Sequence, residues 1–311
     1  MFEYTKFNNL DDLLRSTYEY IQSNGFNIEG KRGNIKEVLN YAVTLTNPRS
    51  RVSNSLDRRL VKSKFAEFAW YLSNDADKEY INPYIDAYNQ EEAENNKILG
   101  GYGPRIFNEN DNGISQFDRI IEQINQRQKT KQAYLVVSDS FDYKVRVEKH
   151  SSPPCTIGLH FIVRENKLNL TVYMRSNDAY FGLPHDLFCF TMLQELVALK
   201  VNIPVGTYSH VCTSMHIYKT HYERVSEYLK EGYFENVAMP HFDNFDKPTL
   251  RTVVKSFDTR QKDVDISALS SYWHDYVLFS NRFNEDIERG NWLEKFKTKE
   301  IRNIAKSSIS K

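Results

Sequence analysis

Cys155-Thr-Ile-Gly-Leu-His-Phe-Ile-Val-Arg164-Glu-Asn-Lys167-Leu-Asn-Leu-Thr-Val-Tyr-Met174-Arg175-Ser-Asn-Asp-Ala-Tyr-Phe-Gly-Leu-Pro-His-Asp186 reads as two strands, the turn between them and a run of reactive side chains. Ile157, Leu159, Phe161 and Val163 alternate with polar or small neighbours, and Leu168, Leu170, Val172 and Met174 repeat that period of two. Arg164-Glu-Asn-Lys167 predicts a hairpin that returns Arg175 to the sheet edge where Cys155 begins. In Ser151-Ser-Pro-Pro-Cys155 the thiol follows two prolines, so the backbone is stiff and the side chain can project from the rim.

Outward from this segment, Leu187 to Val201 has a strongly apolar helix pattern, Val211 to Tyr218 reads as another strand, and Tyr134 to Ser138 as a buried one. Residues 9–25, 34–45 and 116–128 carry helix-type spacing, the second ending at Thr46-Asn-Pro-Arg49, where proline stops it. From Leu60 to Leu72 the apolar positions 61, 65, 68, 69 and 72 repeat near 3.6, with Glu67 inside the run. Residues 73–98 are polar and predict a surface excursion with short helices, Asn110-Asp-Asn-Gly113 predicts a turn, and Lys306–Lys311 a frayed end. The expected class is α/β (α+β): one body over residues 1–311, with a large mixed sheet flanked by helices.

Composition narrows the function. Lys+Arg and Asp+Glu are both 41 in 311 residues, so no global basic field exists to hold DNA or RNA, and polymeric nucleic acid is not an expected partner. Cys155, Cys189 and Cys212 form neither a CxxC pair nor a zinc-type spacing, so no metal is expected and a reducing cytoplasm suits them. No apolar run approaches the roughly 18 residues of a membrane span, so no membrane partner is expected.

Cys189 and Cys212 lie in apolar patterns and read as small core residues, whereas Cys155 departs from that reading. A nearby arginine would raise its thiolate fraction, and Arg175 is the candidate. Arg175-Ser176 suits a phosphate, since a planar guanidinium fork beside a hydroxyl offers several donors, and Arg49 or Arg51 could add a second fork. His216 and Tyr218, two apart on a strand, share a face and could hold a sugar hydroxyl or could be satisfied core residues. Asp186, before a long apolar helix, reads by default as an N-cap, and Asp178 as a loop-stabilising carboxylate.

Over about residues 30–260 these segments resemble the thymidylate synthases and their pyrimidine hydroxymethylase relatives. The matches are Pro153-Pro-Cys155, Arg175-Ser176, Asp178, Gly182-Leu-Pro184 and His216-Ile-Tyr218, with weaker ones at Asn47-Pro-Arg49, Glu67-Phe-Ala-Trp-Tyr-Leu72 and Tyr102-Gly103. The resemblance implies a homodimer that binds a pyrimidine nucleoside monophosphate and takes a one-carbon unit from the folate 5,10-methylenetetrahydrofolate. It implies Cys155 as the nucleophile at C6, Arg49, Arg175 and Ser176 on the phosphate, and His216 and Tyr218 on the sugar. Asp178 and Gly182 would meet the folate, Glu67 would organise water and protons, and Tyr102 would assist removal of the C5 proton.

Departures from the family pattern carry the specificity. Asp186 stands where the uracil-binding enzymes have asparagine; a carboxyl can accept from cytosine N4 and, when it holds a proton, donate to N3. Thr156 replaces a histidine and His185 a phenylalanine, and residues 266–311 form a longer, divergent ending than the short apolar tail that shields the family's intermediate. Water capture of that intermediate gives a hydroxymethyl product. Ser176 matches the deoxynucleotide enzymes, so dCMP is expected over CMP. Where the family's dimer lends two arginines to the neighbouring phosphate, this chain has Lys129-Thr-Lys-Gln-Ala-Tyr134, with Arg127 and Lys131 as substitutes. The expectation is deoxycytidylate 5-hydroxymethyl transfer; CMP hydroxymethylation, thymidylate synthesis, cytidylate methylation and a degenerate nucleotide-binding regulator are the alternatives.

Overall fold

The structure, a computed structural model, describes residues 5–30, 33–55, 61–91, 93–109, 113–140, 142 and 153–309. In chain order the elements are β1 (Thr5–Phe7), α1 (Leu10–Asn24), β2 (Phe26–Gly30), β3 (Gly33–Leu45), α2 (Lys62–Leu72), α3 (Lys78–Ile81), β4 (Ala93–Glu94), β5 (Lys97–Ile98), α4 (Tyr102–Phe107) and α5 (Gln116–Gln126). They continue with β6 (Tyr134–Val136), β7 (Thr156–Arg164), β8 (Lys167–Asp178), α6 (Gly182–Val201), β9 (Val205–Tyr218) and α7 (Tyr222–Lys230). The last are α8 (Lys247–Phe257), α9 (Ser271–Val277), α10 (Asn284–Glu288) and α11 (Lys299–Ile309). The chain forms two compact units: Met1–Arg59, Gln123–Tyr134 and Cys155–Met239 in the first; Leu60–Glu122, Leu135–Pro154 and Pro240–Lys311 in the second.

The first unit is built on a mixed sheet in the order β1-β3-β9-β8-β7, with β2 antiparallel to β3. The hairpin forms as its sequence predicts: Arg164 pairs with Lys167, and Glu165 and Asn166 take φ of 51° and 56°, the left-handed conformations of a two-residue turn matched to strand twist. Leu159, Phe161, Val163, Leu168, Leu170, Val172 and Met174 are buried, but Ile157 is 46% exposed because the register slips between Thr156 and Gly158.

Residues 34–45 are a strand, not the helix their spacing suggests. β3 pairs with β9 from Ile35↔Tyr218 to Leu45↔Tyr208, and the helix-like spacing has a physical source. Asn40 sits at φ 54°, and there the buried side changes from Val38 to Tyr41, Val43 and Leu45, so an alternation that slips once resembles a period near 3.6. The same change occurs in β9, from Cys212 to Met215, and in β8, from Met174 to Asn177. Leu39, Ser214 and Ser176 lie on one rung at this bend. The three strands therefore turn together, at the rung that holds Arg175-Ser-Asn-Asp178.

Helix α6 starts at Gly182 because Pro184, lacking an N–H, fits only the first turn. It then buries nearly its whole circumference from Leu187 to Ala198, and it ends at Asn202 in the left-handed conformation (φ 53°).

In the second unit α2 buries every residue from Lys64 to Leu72. The C-terminal residues build an aromatic core: Phe65 lies 4.6 Å from Tyr276 and 4.3 Å from Phe279, and Trp292 lies 4.9 Å from Phe296 between ring centres. Buried Asp275 accepts from Lys297 N at 2.9 Å and Thr298 N at 2.7 Å, which starts α11. Of the expected frayed end, residues 306–309 belong to that helix, which Ile301, Ile304 and Ala305 anchor, and residues 310 and 311 lie outside the described residues. The excursion over 73–98 holds short helices as expected, and a small β4-β5 hairpin as well. Of the turn expected at Asn110–Gly113, residues 110–112 lie outside the described residues, as do Ser151 and Ser152.

Candidate active site

Cys155 is half-buried at the start of β7, and its carbonyl accepts from Arg175 N at 2.9 Å, so the hairpin brings the thiol residue and the arginine together at one edge. Cys189 and Cys212 are buried in the core, as the sequence implies. Burial pushes the Cys212 thiol up to about 12, with smaller contributions in the same direction from Cys155 and Asp186. Cys212 thus marks the neighbourhood shared by the nucleophile candidate and the acid of α6.

Asp186 is not an N-cap. Phe181 holds that position without a side-chain bond, and Asp186 lies four residues inside the helix, where Asn177 Nδ2 donates to its Oδ2 at 2.7 Å. Asn177 is 4% exposed and its Oδ1 has no hydrogen-bond partner among the described residues. A buried carbonyl without a donor costs about 1–3 kcal/mol, so the orientation is dictated by the carboxyl's demand for the N–H. Sequence reasoning passes over Asn177, although it stands inside the Arg-Ser-Asn-Asp run. The absence of a side chain at Gly182 makes the contact possible: a Cβ there would lie 2.8 Å from Asn177 Nδ2 and 3.6 Å from Asp186 Oδ2.

Asp178 turns back on the chain, accepting from Tyr180 N at 2.9 Å and Phe181 N at 3.2 Å, the loop-stabilising arrangement. It pairs across the sheet with His216, and Ala179 N donates to His216 O at 2.7 Å. The His216 ring stands edge-on to Tyr218 at 5.1 Å, and its buried Nδ1 has no hydrogen-bond partner among the described residues. Tyr218, Gly33 and Lys219 line an open cavity of about 380 Å³. Ser176 is half-buried on β8, two residues before Asp178.

Arg49 is half-buried and donates from Nη1 to Met239 O at 3.2 Å, which ties the loop after β3 to the end of this unit. Arg51 is fully buried and ion-paired through Nη2 with Glu195 of α6, a buried partner that the apolar helix pattern conceals, while its Nε and Nη1 have no partner among the described residues. Lys131 is exposed, and its carbonyl meets His160 Nε2 at 3.0 Å. In the core of the same unit, buried Tyr208 bonds His210 Nδ1 at 2.9 Å; burial lowers His210 to about 3 and, with Asp186 and Cys189, raises Tyr208.

Glu67 and Tyr102 belong to the second unit. Glu67 is 6% exposed, with Oε1 accepting from Tyr88 at 2.9 Å and Tyr71 at 3.4 Å, and with Oε2 lacking a partner among the described residues. Burial raises its carboxyl to about 7, against the two hydroxyl bonds, which lower it. Tyr102 packs 5.3 Å from Tyr71, so both expected proton-handling residues share one tyrosine. A carboxyl half-ionised near neutrality with a bare oxygen is suited to proton transfer.

Among the described residues no group of three or more His, Cys, Asp or Glu could hold a metal, and no helix is long and apolar enough to cross a membrane.

The sequence pattern of the thymidylate synthase family matches residues 47–272, which takes in Arg49, Glu67, Tyr102, Cys155, Arg175 and Asp186. The chain belongs to the thymidylate synthase family. A thymidylate synthase of Francisella philomiragia is 27% identical over 218 residues, covering 66% of this chain and 76% of that protein. A putative thymidylate synthase of Methanocaldococcus jannaschii is 31% identical over 203 residues, 64% of this chain and 82% of its own. Thermostable thymidylate synthase A from Bacillus subtilis shares the fold, with a TM-score of 0.62 at 20% identity over 74% of this chain and 87% of that one. The thymidylate synthase-like fold expected from the sequence is therefore the one observed. The family match stops at residue 272, so α10 and α11 with their aromatic core lie beyond it.

Proposed function

We propose that this family member transfers a one-carbon unit to C5 of a cytosine nucleotide, dCMP in preference to CMP, and that water completes the product as 5-hydroxymethyl-dCMP. What supports the reading is the resemblance, by which a carboxyl, Asp186, takes the place of the asparagine of the uracil-binding enzymes, together with the amide of Asn177 that holds it, two residues after Arg175, the backbone partner of Cys155.

In this mechanism Arg175 and Ser176, with Arg49, hold the 5′-phosphate, and His216 and Tyr218 take the sugar hydroxyl; the bare His216 Nδ1 supports that role. The Cys155 thiolate adds to C6, and Asp186 meets N3 and N4, holding the proton that N3 receives as the ring loses aromaticity. The co-substrate 5,10-methylenetetrahydrofolate supplies the carbon; Asp178, Gly182 and the exposed Phe181 beside them present a carboxylate and an apolar ring that suit a pterin. Glu67 and Tyr102 move the C5 proton and position water, consistent with the raised Glu67 carboxyl. Tetrahydrofolate leaves as the C5 proton is lost, water adds to the exocyclic methylene carbon, and Cys155 then departs as the N3 proton is returned to Asp186, restoring the C5–C6 double bond.

Tyr173 (42% exposed) and Ile157 on the sheet support a second copy of the chain as partner, and Lys131 is exposed to serve a neighbouring phosphate. A second reading, thymidylate synthesis, is favoured by the name its relatives bear. Incubation with dCMP, CMP or dUMP plus the folate, with product masses and dihydrofolate absorbance followed together, separates the two. Hydroxymethyl-dCMP without dihydrofolate is expected; methylated dUMP with dihydrofolate refutes the proposal.

A further inference from the structure

We propose that Asn177 is a positioning residue for base selection, and that it acts by making the two oxygens of Asp186 inequivalent. The inference rests on the reading of Asp186 as the residue that meets the base. Asn177 Nδ2 donates to Asp186 Oδ2 at 2.7 Å, so Oδ2 faces a hydrogen and cannot carry one toward Asn177. The carbonyl oxygen of a carboxyl is a better acceptor than its hydroxyl oxygen, so this bond favours Oδ1 as the site of any proton the group holds. Cytosine needs one acceptor for N4–H and one donor for N3, and a carboxyl fixed as acceptor at Oδ2 and donor at Oδ1 offers that pair in one order. Uracil, with N3–H and O4, needs the reverse order, which would put the proton on Oδ2 and leave the Asn177 N–H a weaker, hydroxyl-type acceptor.

Two further observations support the assignment. The Asn177 carbonyl is left buried and bare in the orientation that gives its N–H to Asp186, an orientation that suits an unprotonated Oδ2. Gly182 leaves the space the amide occupies, since a Cβ there would come within 2.8 Å of Nδ2. Asn177 lies past the bend of β8, and only after that bend does its side of the strand become the buried one.

The test compares calorimetric binding of dCMP, dUMP and 2-deoxyribose 5-phosphate to the wild type, Asn177→Leu and Gly182→Ala. Wild type is expected to favour dCMP, and both substitutions to lower the dCMP-to-dUMP affinity ratio about tenfold, the scale of one base-edge contact. Binding of the sugar phosphate, which has no base, should change less than about twofold if the site is otherwise intact. A ratio unchanged in Asn177→Leu with sugar-phosphate binding kept overturns the proposal. Should Asn177→Leu lose the sugar phosphate too, Gly182→Ala decides: an unchanged ratio there overturns it. A wild type that favours dUMP refutes the functional reading and the preference for cytosine, while a ratio that still moves tenfold in Asn177→Leu would retain the positioning role.

Discussion

Glu67→Gln should change how the stability of this protein depends on pH. The wild-type carboxyl rises from 4.5 to about 7 on folding, mainly through burial, so the folded chain binds more protons than the unfolded chain between those values. Stability therefore falls as pH rises through this window. Integration over pH 5 to 8 gives a loss of about 2.5 kcal/mol attributable to this group, at about 1.4 kcal/mol for each tenfold change in proton affinity. Glutamine keeps the acceptor for Tyr88 and does not titrate. His210 also titrates, but with the opposite sign: lowered to about 3, it makes stability fall as pH drops below about 6.5. That contribution is common to both proteins and cancels in their difference. Urea unfolding of wild type and variant at pH 5, 6, 7 and 8 measures the difference directly. The variant should gain about 2.5 kcal/mol relative to wild type from pH 5 to pH 8. Parallel pH curves would refute the claim that Glu67 is buried with a raised proton affinity.

Iodoacetamide at pH 8 should label Cys155 first and leave Cys212, whose thiol burial raises to about 12, intact; mass mapping checks this, and dCMP should protect Cys155. Cys155→Ala should abolish tritium release from C5-labelled dCMP while nucleotide binding remains, because C6 addition is what frees the C5 proton. Glu195→Gln should destabilise by about 3–5 kcal/mol in urea, since it strands the fully buried Arg51 charge.

The hairpin, its turn and the meeting of Cys155 with Arg175 are legible in the sequence because alternation and turn chemistry are local. The spacing of residues 34–45 misleads because the bend at Asn40 moves the buried side by one residue, and only the partners β9 and β8, which bend on the same rung, reveal it. Asp186 looks like a cap because its sequence neighbourhood is a helix start; Pro184 sets that start earlier, and the acid is freed for Asn177. Arg51 and Glu195 lie far apart in sequence, so their pairing carries no local signal. Of residues 266–311, which the sequence shows only as a divergent ending, Trp273, Phe279, Trp292 and Phe296 build the aromatic core of the second unit.

The central claim is that Asp186 chooses the base. Tritium release from C5-labelled dCMP and dUMP, measured side by side in wild type and Asp186→Asn, tests it most directly. Faster release from dCMP is expected in wild type and faster release from dUMP in the variant; the same preference in both proteins would contradict that choice.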